Sequence, residues 1–317
     1  AWTQGPSLLQ SLNVLDGLDI DPTDTASFAH MVTETIKLSM ADREAYYGDP
    51  NFHDLPMERL LSKDYANLRR AQITGEASLA LRPGAVPGYE AWADAAVARS
   101  LKTNIPGPSV GAGEPTMAHL TERRGDTVHI DVVDRWGNMI SATPSGGWLQ
   151  SSPVIPGLGV PLNSRAQMFW LQDGLATSLA PGHRPRTTLS PSMAEYEDGT
   201  RMAFGTPGGD QQDQWQVIFL MRLLHQRLDL QAAIDAPLFH TGHLQASFYP
   251  RNLRAGHLTI EPSAGVDAIE ALRRRGHQVE VSEPWAIGRL TAVTRSPSGL
   301  MRGAATPRLM QAYAIGR

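Results

Sequence analysis

Apolar and polar positions alternate along the chain in two different rhythms, with an unpatterned stretch between them. At the start the rhythm is helical. Leu8, Leu9, Leu12 and Leu15 predict a helix over Ser7–Leu15, ended by Gly17 and the run Asp19-Ile20-Asp21-Pro22. Phe28, Met31, Val32, Thr35, Ile36 and Leu38 mark the inward stripe of a longer helix from about Thr23 to Tyr47, stopped by Gly48-Asp49-Pro50. A short helical pair is predicted over Leu55–Leu68. From about Gln72 to Arg124 glycine and proline break every period, and the segment reads as irregular. It is either a surface excursion or a linker leading to a processing site.

The rhythm then shifts to two. Val128, Ile130 and Val132 alternate with Thr127, His129 and Asp131, Arg135-Trp136-Gly137-Asn138 is turn material, and Met139–Thr143 reads as the return strand. A second hairpin is predicted from Met193–Tyr196 and Met202–Phe204 around Asp198-Gly199. Helices follow over Gln214–Gln226, Leu230–Ala236 and Val266–Arg275. Gln278–Val281 is a strand, and Leu290–Thr294 pairs with Gly303–Ala305 around Pro297-Ser298-Gly299. With neither a G-x-G-x-x-G loop nor a strict βαβ rhythm, this order fits a layered α/β (α+β) fold whose sheets are mostly antiparallel.

Composition narrows the chemistry. The 317 residues are 41% hydrophobic and 19% charged, as in globular domains, and the net charge of -4 argues against a nucleic-acid partner, which needs a basic face. No apolar run reaches the length of a membrane helix. The absence of cysteine excludes disulfides, thiolate metal sites and cysteine nucleophiles, but leaves the compartment open between periplasmic or secreted and cytoplasmic. A start at Ala1-Trp2-Thr3, without methionine or leader, is expected of a processed or excised piece.

Three stretches carry candidate chemistry. Gly205-Thr206-Pro207-Gly208-Gly209 lies between a predicted strand and a predicted helix, where glycine N–H groups make an anion cradle or simply a tight turn. It is no P-loop, because Asp210-Gln211 stands where Lys-Ser/Thr belongs. His240-Thr241-Gly242-His243 spaces two histidines three apart with no third ligand nearby, which favours a loop or core pair over a metal site. No G-x-S-x-G elbow marks a serine triad.

Taken together, several short motifs resemble the gamma-glutamyltransferase family of N-terminal nucleophile (Ntn) hydrolases. They are Ala41-Asp42-Arg43 with Tyr47-Gly48-Asp49-Pro50; Thr127-Val128-His129 with Val132-Val133-Asp134 and Gly137-Asn138; Leu162-Asn163; Arg184-Pro185 with Ser190-Pro191; Gly205 to Gly209; and Asp235-Ala236-Pro237 with His240. Their order spans essentially the whole chain. The resemblance implies a four-layer αββα sandwich and a precursor that cuts itself between Asp126 and Thr127. Residues 1–126 would then be the C-terminal part of a large subunit, and 127–317 a small catalytic subunit that begins at its nucleophile. Thr127 would attack an amide carbonyl, Ser145 would take the place of a second threonine that hydrogen-bonds the nucleophile, and Gly208 and Gly209 would hold the oxyanion. Thr143, Gly147, Arg165, Thr187 and Thr188 would contact substrate; no metal and no cofactor is implied.

Departures from the family pattern affect the acyl pocket. Met168 stands at about the position of the acid that grips a glutamyl α-amino group, and Gly147 replaces an asparagine that binds the same end. Phe169 to Arg184 is short for a lid loop. The first half of the large subunit, with its carboxylate-binding arginine, is missing from the sequence, so a second chain or segment is the expected partner. The readings are therefore a γ-glutamyl hydrolase or transferase, or an amidase for another acyl group of the cephalosporin-acylase or oxamate-amidase kind. In the latter Arg165 either binds a substrate carboxylate or is a surface residue. A reading of another class is a non-catalytic binder of peptides or small acids.

Overall fold

The computed structural model describes residues 3–104, 127–146, 152–248, 250–310 and 312–316. Helices α1 (Gly5–Leu15) and α2 (Thr25–Tyr46) form where the apolar spacing predicts them. The Asp24 carboxylate caps α2 by accepting from the Ser27 N–H at 2.9 Å. Yet α2 is buried nearly all round rather than on one stripe, and its charged residues are buried with it. Buried charge needs partners, and each finds one. Glu34 pairs with Lys37 at 2.6 Å and Arg82 at 3.0 Å. Asp42 accepts from Gln10 and from the Gly84 N–H, both at 2.7 Å, and Arg43 reaches Asp210 at 2.6 Å. Helix α2 is thus the polar spine on which the rest is hung.

Short helices α3 (Met57–Leu60) and α4 (Lys63–Arg70) match the predicted pair. The stretch expected to be irregular contains a regular helix, α5 (Glu90–Thr103). Its sequence Glu90-Ala91-Trp92-Ala93-Asp94-Ala95-Ala96 is rich in alanine, the best helix former, but has no broad apolar stripe to announce it. It docks instead through a few buried positions, among them Ala96 and Ser100.

The predicted α+β architecture with mostly antiparallel sheets is present. Strands β1 (Ile130–Val133) and β2 (Met139–Ala142) form a two-stranded ribbon. It lies face-on against a four-stranded antiparallel sheet of β3 (Ser192–Glu195), β4 (Arg201–Gly205), β8 (Thr291–Arg295) and β9 (Met301–Ala305), in the order β3-β4-β8-β9. Helix α6 (Gln212–Leu224) packs behind β4, with Phe219 5.8 Å from Phe204. Covered on both faces, β4 is buried from Met202 to Gly205. Helices α7 (Leu230–Asp235) and α8 (Val266–Arg274) fall as predicted. Two strands not foreseen, β5 (Phe239–Thr241) and β6 (His257–Ile260), join β7 (Gln278–Val281) in a third sheet, in which β6 and β7 run parallel. Buried on every residue, β5 and β6 lack the alternation that makes a strand legible.

The outer face of the β1–β2 ribbon is aliphatic and open. Val128, Ile130, Val132 and Ile140 are 51%, 54%, 44% and 52% exposed, and no helix covers them among the described residues. The described chain therefore supplies sheet, sheet and inner helices, without the helical layer that a four-layer sandwich places outside the ribbon.

Histidines make the interior sensitive to acid. His240, His243 and His277 are buried, and burial pushes each imidazole down to about 3. In the unfolded chain they titrate near pH ~6.5, so unfolding takes up protons between those limits. Their contribution to stability is intact above about pH 6.5 and is lost as the pH falls toward 3. The melting temperature is expected to fall steadily from pH 7 to pH 4. In His240→Phe, which keeps the edge-on contact with Trp215 at 5.7 Å, that fall should be shallower. Calorimetry across the range tests this, and equal slopes for the two proteins would contradict it.

Candidate active site

Register builds the site. Ile130 faces Ala142 and Asp131 faces Ser141, and the ladder continues through the Val128 N–H, which donates to the Pro144 carbonyl at 3.2 Å. The same register places Thr127 opposite Ser145 and His129 opposite Thr143. Side chains on one face of a strand recur every second residue, so Thr127, His129 and Asp131 share the inner face, while the aliphatic residues share the outer one. The period-two pattern was legible in the sequence; that its polar face points inward was not.

Two of the inner pairs are bonded. The Thr127 and Ser145 hydroxyls lie 2.7 Å apart, and Thr127 is 4% exposed. His129 Nδ1 is 2.7 Å from Thr143 Oγ1, and its Nε2 is 2.9 Å from an Asp131 carboxylate oxygen that also accepts from Thr291 Oγ1 of β8 at 2.7 Å. This line of side chains fixes the ribbon to the sheet below. It needs glycine at the end of β4, because a Cβ on Gly205 would sit 2.3 Å from the His129 ring. Asp131 and Thr291 are given no role by the sequence, and His129 enters only as part of the Thr127-Val128-His129 motif; a histidine two residues after the candidate nucleophile, facing the same way, was the available signal.

Around this pair the structure collects some of the expected residues and separates others. Thr127 and Pro207, the residue before the Gly208-Gly209 turn, line one cavity of about 380 Å³. Gly208 and Gly209 adopt φ values of 142° and 57°. A Cβ on Gly208 would lie 2.5 Å from Trp215, so this turn requires glycine on two counts. Arg165 is 4% exposed rather than on the surface, and its guanidinium lies 5.5 Å from the Phe248 ring. A Cβ on Gly146, the neighbour of Ser145, would be 3.4 Å from Arg165 Nε. Asn163 caps the short 3₁₀ helix Ser164–Met168 that carries Arg165, accepting from the Arg165 N–H at 2.7 Å.

Met168 is buried at 1% exposure and carries no charge. Thr187 and Thr188 are buried on the segment before β3 and form no hydrogen bond with Thr127 or Ser145 among the described residues. The Thr187 hydroxyl accepts from the Leu189 N–H at 3.2 Å, while the Thr188 hydroxyl has no partner among the described residues. Asp126 and Gly147 lie outside the described residues.

Among the described residues two clusters are candidates for metal binding, and neither suits it. His240 packs its ring on Trp215, whereas His243 Nδ1 accepts from the Gly256 N–H at 3.0 Å, so the two serve the core separately. His30, Glu34 and His277 have ligand atoms within 4.8 Å of one another. There both Glu34 oxygens are taken by Lys37 and Arg82, and His30 spans from His277 Nε2 at 2.9 Å to the Thr74 carbonyl at 2.8 Å. A divalent cation would have to enter beside two bound cations, which its own charge opposes.

The motif residues outside the ribbon tie the chain's two parts together. Asp49 accepts from Arg184 Nη2 at 2.7 Å and from the Arg184 N–H at 2.9 Å, which holds its carboxyl below the usual range. A Cβ on Gly48 would meet the Ala176 carbonyl oxygen at 2.4 Å. Asp213, buried in α6, accepts from Gln4 at 2.5 Å, and burial raises its carboxyl to about 7.

Comparison with known proteins shows the family and the fold. The family model described as Gamma-glutamyltranspeptidase matches residues 1–316. The chain is 30% identical over 306 residues to the Acylase ACY 1 proenzyme of Pseudomonas sp. strain SE83, covering 96% of this chain and 46% of that protein. It is also 30% identical over 309 residues to the Oxamate amidohydrolase proenzyme of Klebsiella pneumoniae, covering 96% and 50%. The solved structure of LmbA2991HD superposes with a TM-score of 0.84 at 48% identity, covering all of this chain and 53% of that one. The cephalosporin acylase of Bacillus halodurans superposes with a TM-score of 0.70 at 24% identity over 97% and 48%, a likeness of fold. The chain spans about half the length of the curated relatives it matches. Its fold is that of the Ntn hydrolases, and the chain belongs to the gamma-glutamyltranspeptidase family.

Proposed function

We propose that the protein is a self-processing amidohydrolase whose nucleophile is Thr127. The observation that carries this reading is the hydroxyl pair of the buried Thr127 and the half-buried Ser145, 2.7 Å apart at the head of β1. A threonine hydroxyl attacks a carbonyl only when a base removes its proton. Cutting the backbone between Asp126 and Thr127 creates that base. The new α-amine titrates near pH ~8 and sits on the same residue as the hydroxyl. Residues 1–126 and 127–317 become the two fragments.

In the reaction, Thr127 Oγ bonds to the amide carbon while the α-amine takes the hydroxyl proton. The Gly208 and Gly209 N–H groups hold the oxyanion. Collapse breaks the C–N bond, the leaving amine takes the proton back, and an acyl ester on Thr127 remains. Water, activated by the same amine, releases the acid; an amine in place of water would give transfer. Ser145 fixes the rotamer of the Thr127 hydroxyl by its hydrogen bond, and Thr143 does the same for His129.

The acyl group read here lacks an α-ammonium. Met168 offers no charge to pair one, and the buried guanidinium of Arg165 next to Gly146 suits a carboxylate on the acyl chain. The two relatives at 30% identity, named an acylase and an oxamate amidohydrolase, support that choice over glutathione hydrolysis. Glutaryl and oxamyl anilides should be hydrolysed at least about tenfold faster than the γ-glutamyl anilide, the least expected when one ammonium loses its partner. A γ-glutamyl preference in that panel would reverse the assignment. We also propose that the companion segment of the working protein covers the aliphatic face formed by Val128, Ile130, Val132 and Ile140.

A further inference from the structure

We infer that Arg43 is a positioning residue for the oxyanion cradle, acting through Asp210; the inference rests on the reading of Gly208 and Gly209 given above. Glycine does not hold its own backbone angles, because it lacks the side chain that restricts them. Two consecutive glycines aimed at an oxyanion therefore need an anchor outside themselves. Asp210, the next residue, is that anchor. Its carboxylate accepts from the Ser247 N–H at 2.7 Å, from the Ser247 hydroxyl at 2.6 Å and from Arg43 Nη1 at 2.6 Å. Burial pushes the Asp210 carboxyl up, but Arg43 and Arg186 outweigh it and keep the group ionised.

Arg43 is itself held rigidly. It is fully buried in α2, its Nη2 donates to the Gln245 carbonyl at 3.0 Å, and its Nη1 also bonds to Gln4. Gln4 in turn donates to Asp213 at 2.5 Å at the start of α6, and accepts from Arg186 at 3.0 Å. A planar guanidinium can serve two acceptors at fixed angles, which a lysine ammonium cannot. The anchor of the cradle thus comes from the part of the chain before Thr127, while the cradle belongs to the part after it. The small fragment carries the nucleophile and the amides but depends on the large fragment to aim them.

The test compares Arg43→Lys and Asp210→Asn in the whole processed protein, with an acyl anilide as substrate. Two probes separate transition state from ground state: a boronic acid that forms a tetrahedral adduct with Thr127, and the planar carboxylic acid of the same acyl chain. Arg43→Lys should lower kcat by about 10²-fold, the usual cost of misplacing an oxyanion donor. KM and the affinity for the planar acid should stay within about twofold, while boronate affinity falls in parallel with kcat. The double variant should be no worse than the poorer single one, as expected of residues acting through one contact.

A loss confined to KM, unchanged boronate affinity, or multiplicative effects of the two changes would overturn the inference. Should Arg43→Lys fail to fold, Ser247→Ala removes one bond to Asp210 and leaves the buried ion pair intact. It should give a smaller drop in kcat and boronate affinity with KM held, and no drop in either would count against the inference equally. Thr127→Ala keeps the two readings apart. Turnover that survives it sinks the nucleophile itself, whereas Thr127-dependent turnover with a normal kcat in Arg43→Lys sinks only the role of Arg43.

Discussion

Thr127→Ala is expected to leave the backbone uncut ahead of residue 127 and to lower turnover by at least about 10³-fold, the scale seen when a nucleophile is removed. The substitution deletes a hydroxyl and a methyl group. It removes a hydrogen bond of 2.7 Å to Ser145 and leaves the strand pairing in place, since Thr127 sits at the head of the ribbon, before the paired residues of β1. Stability should therefore change by only about 1 kcal/mol, and the variant should melt near the parent. Thr127→Ser, which keeps a hydroxyl on the residue carrying the new amine, should retain measurable turnover. Intact mass and steady-state rate on the same purified samples decide the matter. Undiminished turnover by the alanine form is incompatible with the proposed mechanism, and so is efficient cutting.

Arg308→Ala should destabilise the fold by roughly 3–5 kcal/mol, the usual cost of removing one partner of a buried ion pair. Arg308 is buried, and its guanidinium bridges both oxygens of Glu261, at 2.9 and 2.6 Å. It also donates to the carbonyls that end α7, those of Ile234 at 2.5 Å, Asp235 at 3.2 Å and Ala236 at 3.0 Å. Glu261 for its part accepts from the Leu238 N–H at 2.9 Å. One side chain thus serves a helix C-terminus and a buried carboxylate, and its loss leaves Glu261 without its ion-pair partner. The double variant Arg308→Met with Glu261→Met should recover much of the loss, because it removes the charge as well as its partner. Denaturant unfolding of the three proteins tests the pair. Equal stability of Arg308→Ala and the parent would show that water reaches Glu261.

What could be read from the sequence divides along physical lines. The amphipathic helix α1 and the strand β3 were legible because each has two unlike faces, which leaves a period in the sequence, and β4, covered on both faces, was legible through the Asp198-Gly199 turn that joins it to β3. Strands β5 and β6 were not, since an element buried on all sides carries no such contrast. Helix α5 was hidden by the prolines and glycines on either side of it and by its dependence on alanine rather than on an apolar stripe.

In the site, Thr127, Ser145 and the two glycines stood out through resemblance, and Ser145 lies within hydrogen-bonding reach of Thr127. The bond from His129 to Asp131 depends on which way the ribbon's polar face points, and alternation alone is symmetrical on that question. Arg165 was left open between surface and pocket; its burial beside Gly146 came only from the way the capped turn at Asn163 folds back. Arg43 and Asp210 lie 167 positions apart in sequence, and no local pattern announces such a bond.

The bonds Gln4–Asp213, Arg43–Asp210 and Asp49–Arg184 each join a residue before Thr127 to one well after it, and all three are inside the protein or shielded at one end. Severing the chain ahead of Thr127 would leave them standing. Matured and immature molecules should then travel together through a sizing column and be told apart only once boiled in detergent, so a native particle weight carries no information on whether maturation has taken place.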